Sequence, residues 1–264
     1  MSSFFATAVQ FTGEPLGTAD NTERLEHHIR RSASDGASLI VLPELCDTGY
    51  TLVPELFRAS HPLPGPTGEL LSSLTGELDV TIVTAIAVDT GRGELRNTGL
   101  IVTPDGIVAT GSKRALWGGE GEVFTPGNPN EQVIADTPVG RVGVAICYEA
   151  GFPEVVRRLA LDGARIIAVP AAFGAPRLHA WLLLTRSRAL ENGCYLVAAN
   201  NFGEVDGRRF CGHSTIVDPH GERSAVLAEG QGHVTARLDL DVVDQARRAI
   251  PYLHDLCRVD TPAH

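Results

Sequence analysis

The chain has 264 residues, with 32 acidic against 22 basic side chains and a formal net charge of −10. It carries no basic stripe, which argues against a nucleic-acid partner, and no apolar run approaches the length of a membrane span, which argues against a membrane one. Its five cysteines, Cys46, Cys147, Cys194, Cys211 and Cys257, are odd in number, widely spaced and free of any CxxC pair, so a disulfide framework or zinc ribbon is disfavoured and a reducing, cytoplasmic compartment is expected.

The start of the chain, Met1 to Phe5, lacks the basic and then long apolar stretch of a secretory signal. Phe4 to Phe11 reads as a strand, and Asn21 to Ser34 as a helix with Leu25, His28 and Ile29 on one face. Ala37 to Leu42 reads as a buried strand ending at Pro43-Glu44, and Gly68 to Thr75 as a short helix. Val80 to Val88 and Thr98 to Thr103 are strands, the second closed by the turn Pro104-Asp105-Gly106. Val142 to Ile146 is an apolar run leading into Cys147, and the break at Gly151-Phe152-Pro153 starts a helix carrying Val155, Val156, Leu159 and Ala160. Ala164 to Ala171 follows as a strand, then Trp181 to Asn192 as a helix stopped by Gly193. Leu196 to Ala199, Ser214 to Val217 and His233 to Leu240 are strands, and Val242 to Leu256 is a helix interrupted at Pro251. Helices and strands alternate, and several strands are apolar on both faces, which predicts an α/β layered protein: a mixed sheet, or two packed sheets with helices outside. No linker, charge block or fixed repeat divides residues 1–264, so one domain is expected.

Three ionisable residues lie just past apolar segments, where α/β sheets gather their ligands. Glu44 follows one such segment, Lys113 follows another, and Cys147 a third. Lys113 is the only lysine in a chain that otherwise uses arginine, which suggests that a compact ammonium is needed there. Together the three make coherent chemistry. A cysteine attacks as its thiolate, a carboxylate can take its proton, and an ammonium can hold the thiolate and the oxyanion formed after attack, with the Tyr148 N–H as a second oxyanion donor. The turn after a strand, with free N–H groups and a helix N-terminus, is also expected to favour the thiolate.

This set resembles the Glu–Lys–Cys triad of the nitrilase superfamily of carbon–nitrogen hydrolases. The resemblance rests on Pro43-Glu44, Lys113, and Cys147-Tyr148-Glu149 with Phe152-Pro153-Glu154. It continues through Asn97-Thr98, Pro104-Asp105-Gly106, Glu120, Phe124-Thr125-Pro126-Gly127, the stretch from Arg186 to Tyr195, Asp218-Pro219-His220-Gly221 and Ile250-Pro251. It implies a four-layer αββα sandwich, a C-terminal extension over 241–264, frequent homodimers or larger assemblies, and no metal or organic cofactor. By the same resemblance Glu44 is the general base, Cys147 the nucleophile, Lys113 the oxyanion holder and Glu120 an auxiliary carboxylate.

Departures from the family pattern bear on substrate. Tyr148 stands where nitrile-hydrolysing members often have Trp, which points to a small amide, with an N-carbamoyl amine or amino acid as the alternative. Gly151 stands where many members have Arg, which removes carboxylate recognition from that position. Ala115 replaces a common His. Trp117 and Phe173 are read as walls of the acyl pocket beside Tyr148. Nitrile hydrolysis and acyl transfer rank lower, as does a papain-like pair using His179 or His213, since it leaves Lys113 and Glu44 unexplained. His179 reads as a packing or surface residue, and the cysteines other than Cys147 as structural.

Overall fold

The computed structural model describes residues 3–258; residues 1, 2 and 259–264, and with them the end of the expected C-terminal extension, lie outside the described residues. In chain order the first half comprises β1 (Ser3–Gln10), α1 (Thr18–Ser34), β2 (Ala37–Glu44), the short α2 (Leu56–Ala59), α3 (Gly65–Leu78), β3 (Thr81–Asp89), β4 (Leu95–Thr103) and β5 (Gly106–Ser112). The second half comprises β6 (Val133–Thr137), β7 (Gly140–Val144), α4 (Pro153–Leu161), β8 (Ile166–Ala171), α5 (Leu178–Leu190), β9 (Tyr195–Asn200), β10 (Phe202–Val205), β11 (Arg208–Cys211), β12 (Ser214–Val217), β13 (Arg223–Leu227), β14 (Gly232–Asp239), α6 (Leu240–Ala249) and α7 (Tyr252–Asp255).

The strands form two six-stranded sheets, ordered β14-β1-β2-β3-β4-β5 and β13-β12-β9-β8-β7-β6, and β10 pairs with β11 as a separate hairpin. Each sheet has a parallel centre, β1-β2-β3 in one and β7-β8-β9 in the other. Antiparallel strands flank both centres. Of the two arrangements the sequence allows, the chain adopts the paired sheets with helices outside.

The apolar runs are continuous because each central strand is covered twice. Leu39, Val41, Val83 and Ala85 face the second sheet and join a cluster with Val142, Val144, Ile166 and Val197. Their neighbours Ile40, Leu42 and Ile82 turn outward and pack with Leu25 and Ile29 of α1 and Leu71 and Leu74 of α3. The second sheet is covered in the same way by Val156 and Leu159 of α4 and Trp181 and Ala189 of α5. This is the αββα layering, and burial on both faces is what parallel centres require. No helix among the described residues is long and apolar enough to cross a membrane.

The apolar-run strands lie within a few residues of their expected bounds. Helix α3 is longer than the expected Gly68–Thr75, because Pro64-Gly65-Pro66 starts it a turn earlier. The tail is helical on both sides of Pro251. The strands β6, β10, β11 and β13 carry at most three apolar residues in a row and are not among the strands expected from the sequence.

Candidate active site

Glu44 is the last residue of β2, and Leu45 after it turns the chain at φ 51°. Lys113 follows β5 directly. Cys147 lies shortly past the end of β7 and opens a single 3-10 turn, Cys147–Gly151, ahead of α4. Its own φ is 48°, a left-handed conformation that a non-glycine residue adopts only when its surroundings hold it there. Glu120 sits in a second 3-10 turn, Gly118–Glu122. The structure brings all four side chains to one buried point between the sheets; Glu44, Lys113 and Glu120 are inaccessible, and Cys147 is 3% exposed.

The Lys113 Nζ donates to Glu44 Oε1 at 2.7 Å and to Glu120 Oε1 at 2.8 Å. Asn97 Nδ2 donates to the same Glu44 oxygen at 2.6 Å, and the Ala172 N–H to Glu44 Oε2 at 3.0 Å. Tyr50 donates its hydroxyl to Glu120 Oε1 at 2.7 Å, and the Trp117 N–H donates to Glu120 Oε2 at 2.8 Å. The Lys113 backbone is fixed as well: its N–H donates to Asn97 O at 2.7 Å and its carbonyl accepts from Gly127 at 2.8 Å. A Cβ at Gly127 would lie 2.2 Å from the Ser112 carbonyl, which explains the glycine that closes Phe124-Thr125-Pro126-Gly127.

Two carboxylates thus share one ammonium. Burial raises the Glu44 pKa above the usual carboxylate value, and the Glu120 charge adds to the rise against the pull of Lys113. Burial works against the Lys113 charge, but the acidic groups around it outweigh that effect and hold the ammonium charged. Cys147 lies close enough to Glu44 for the carboxylate charge to act on its thiol. Its thiol is pushed well above its usual range, first by burial and then by the Glu44 carboxylate, with Lys113 opposing. The expectation that the turn and helix N-terminus leave a resting thiolate is therefore corrected: α4 begins only at Pro153, and burial wins. The Tyr148 N–H has no hydrogen-bond acceptor among the described residues.

A second buried ion pair holds the Cys147 turn. Glu149 Oε1 accepts from the Arg114 N–H and from Arg114 Nε, both at 2.8 Å, and Oε2 accepts from Arg114 Nη2 at 3.0 Å and the Ile146 N–H at 3.0 Å. The brace links the residue after Lys113 to the residue before Cys147. On the other side, Arg188 donates to the Ala150 and Gly151 carbonyls at 2.9 and 3.1 Å. Asn97, Tyr50, Ala172, Arg114 and Glu149 carry no assigned role in the sequence reading. Only the placement of Asn97 and Glu149 inside matched motifs pointed toward them.

Next to this cluster lies a cavity of about 420 Å³, lined by Tyr50, Trp117, Ala172, Arg177, Arg208, Phe210 and their neighbours. Trp117 forms part of its wall. The Tyr148 and Phe173 rings stand one layer behind. Tyr148 packs on Trp117 at 4.9 Å between centroids, and Phe173 is 3% exposed beneath Arg177. His179 is exposed on α5, and His213 sets its Nδ1 2.8 Å from the Cys211 carbonyl oxygen. The groups that bear most on the Cys147 thiol are Glu44, Lys113, Glu120 and Ala172, none of them a histidine. Cys46, Cys194 and Cys211 are buried and unpaired, whereas Cys257 is exposed. Among the described residues no group of His, Cys, Asp and Glu is arranged to hold a metal.

A family model described as carbon-nitrogen hydrolase matches residues 5–248. The omega-amidase NIT2-A of Xenopus laevis is 31% identical over 95% of this chain and 94% of its own length. A protein of Pyrococcus abyssi named nitrilase is 35% identical over 90% of this chain and 91% of its own. Among solved structures, a glutamate-to-leucine mutant of the amidase from Nesterenkonia sp. AN1 superposes with a TM-score of 0.84 at 25% identity, covering 97% of this chain and 96% of that one. That structure shows the acetamide moiety of fluoroacetamide covalently added at its active site cysteine.

Proposed function

This chain belongs to the carbon–nitrogen hydrolase family, and from that premise we propose a reaction for its site. The protein is a hydrolase that cleaves the C–N bond of an amide, and the covalent adduct on the cysteine of the Nesterenkonia amidase supports a cysteine intermediate here as well. In our reading the acyl carbon enters from the cavity and meets Cys147 Sγ. As sulfur attacks, the thiol proton passes to Glu44. A thiol with a high resting pKa needs such a partner, and a buried carboxylate with a raised pKa is matched to the task. The negative charge that develops on the carbonyl oxygen meets the Lys113 ammonium and the unpaired Tyr148 N–H. Collapse of the tetrahedral species breaks the C–N bond, and Glu44 returns its proton to the departing ammonia. A water deprotonated by Glu44 then attacks the thioester, and the carboxylic acid leaves as the Cys147 thiol is restored. Glu120, held by Tyr50 and the Trp117 N–H, keeps the ammonium aimed. Trp117, Tyr148 and Phe173 shape the acyl end of the site, Trp117 at the wall and the other two as its backing. The reaction asks for no metal or organic cofactor, because Lys113 supplies the positive charge.

The observation that carries this reading is the sharing of the single ammonium by two buried carboxylates beside a buried thiol. Intact-mass measurement during turnover of small primary amides tests it. The expected result is a mass gain equal to the acyl group, absent from Cys147→Ala. A gain that persists in Cys147→Ala would refute the assignment, and a carbamoyl-sized gain from N-carbamoyl substrates would redirect it to that class. The five unpaired thiols favour a cytoplasmic site of action. The exposed Leu161, Leu183 and Leu190 on α4 and α5 favour assembly into a homodimer or larger homo-oligomer.

A further inference from the structure

The two oxygens of the Glu44 carboxylate are not equivalent. Oε1 accepts from Lys113 Nζ at 2.7 Å and from Asn97 Nδ2 at 2.6 Å, which fills both of its lone pairs. Among the described residues the one N–H that reaches Oε2 is that of Ala172, at 3.0 Å, so one lone pair stays open. The same Ala172 N–H acts on the Cys147 thiol, which favours Oε2 as the oxygen on the sulfur's side. Asn97 is what makes the two oxygens differ. It lies on β4 opposite Ala87 and is inaccessible to solvent. It also holds both partners of the ion pair: its side chain donates to Glu44, while its carbonyl accepts from the Lys113 N–H at 2.7 Å. Its own Oδ1 is buried and meets no donor among the described residues. A buried amide with an unmatched acceptor is costly as a packing residue. The opposite orientation would set that oxygen against a carboxylate oxygen, so the side chain is placed as a donor to an ionised Glu44.

We propose that Asn97 is a positioning residue for the base: with Lys113 it fills Oε1 and leaves Oε2 as the oxygen that exchanges the proton. The proposal rests on the reading of Glu44 as that base. In the attack step the Sγ–H bond breaks and an Oε2–H bond forms. The sulfur electron pair goes to the acyl carbon and the carbonyl π pair to its oxygen. Oε1 is an acceptor before and after the transfer, first as a carboxylate oxygen and then as the carbonyl oxygen of the neutral acid. Asn97 and Lys113 therefore donate to it throughout, and no dipole has to reorganise. Without Asn97 a lone pair opens on Oε1, and the proton gains a second place to bind. The titratable groups that act on Glu44 are Lys113, Glu120 and Cys147, with Tyr50 hydrogen-bonded to Glu120. A substitution of Asn97 leaves all four in place.

The test reads the Glu44 titration apart from turnover. In Cys147→Ala, NMR of isotope-labelled glutamate carboxyl groups follows Glu44, whose resonance is identified by its loss in Cys147→Ala/Glu44→Gln. Adding Asn97→Ala should move the Glu44 midpoint up by about one to two pH units, the worth of a hydrogen bond to a charged group. Asn97→Asp should move it further, because a like charge replaces a donor; being nearly isosteric, it carries the comparison should Asn97→Ala fail to fold. With Cys147 in place, the acid limb of kcat/KM should rise in the same order. A residue that merely packs would lower the plateau and leave the limb where it is. A Glu44 midpoint unmoved in both variants overturns the proposal whatever the kinetics. A midpoint that moves while the limb stays sustains the role of Asn97 at Glu44 and removes Glu44 as the base.

Discussion

Lys113 and Arg114 are neighbours in sequence, and each holds a buried carboxylate, yet they form opposite kinds of ion pair. Arg114 meets Glu149 one to one, with the fork of the guanidinium and two backbone N–H groups filling the carboxylate. Lys113 meets two carboxylates at once, and the surplus negative charge is left beside a thiol. A matched pair has nothing left to exchange, so it fixes geometry. In the mismatched cluster burial, with the Glu120 charge adding to it, leaves Glu44 with a raised pKa, which suits it to accept and release a proton. The brace positions the backbone of the Cys147 turn, and in the proposed reaction the cluster operates on its sulfur.

The largest expected effect comes from removing the surplus carboxylate. Glu44→Gln should lower kcat/KM roughly 10²–10⁴-fold, the contribution of a positioned general base, while unfolding free energy changes little. Loss of a desolvated charge offsets the one donor, among Lys113, Asn97 and Ala172, that an amide nitrogen leaves unmatched. Steady-state kinetics beside urea titration would read both quantities. In the wild type the acid limb of kcat/KM should reflect Glu44: activity is lost as pH falls through a pKa above the ordinary glutamate value. A variant that stays active but unfolds more easily would erase the distinction between the two clusters.

The reverse pattern is expected from the matched pair. Glu149→Gln leaves the largely buried Arg114 guanidinium without its counter-charge, which costs about 3–5 kcal/mol of stability. Activity should fall as well, because the Ile146 N–H loses its anchor and the strained Cys147 loses part of what holds it. Urea unfolding of Glu149→Gln should therefore shift far more than that of Glu44→Gln; equal shifts would mean that the brace is not what holds the turn.

The same contrast explains what the sequence discloses. Glu44 and Cys147 follow runs that are apolar because β2 and β7 are covered on both faces, whereas Lys113 follows the edge strand β5, whose Val108 and Thr110 face solvent, and is marked instead by being the one lysine. Strand ends and charges are therefore visible locally. Strands such as β11 and β13 face solvent through Arg208, Arg209, Arg223 and Ser224, so no long apolar run marks them. The brace depends on a pair 35 positions apart, and Arg177 on rings from two other elements. Neither relation has a local signature, because what defines each is the partner that packing supplies.

Asp47 extends the comparison to a buried carboxylate with no cation at all. It accepts from the Thr48 N–H at 2.9 Å and the Thr67 hydroxyl at 3.1 Å, and burial raises its pKa from 3.8 to about 6. Because the folded state holds this proton more tightly than the unfolded chain, the Asp47 contribution to stability falls as pH rises from about 4 to about 6. The full change is about 3 kcal/mol at about 1.4 kcal/mol per pH unit. Asp47→Asn keeps an acceptor for Thr48 and can donate to Thr67, so it should be more stable than wild type above pH 6 by up to that amount, with the advantage vanishing near pH 4. Urea unfolding of both proteins across that interval reads the difference directly. Parallel curves would mean that the two hydrogen bonds compensate for burial, and that a carboxylate inside this fold does not need an ammonium to stay charged at little cost.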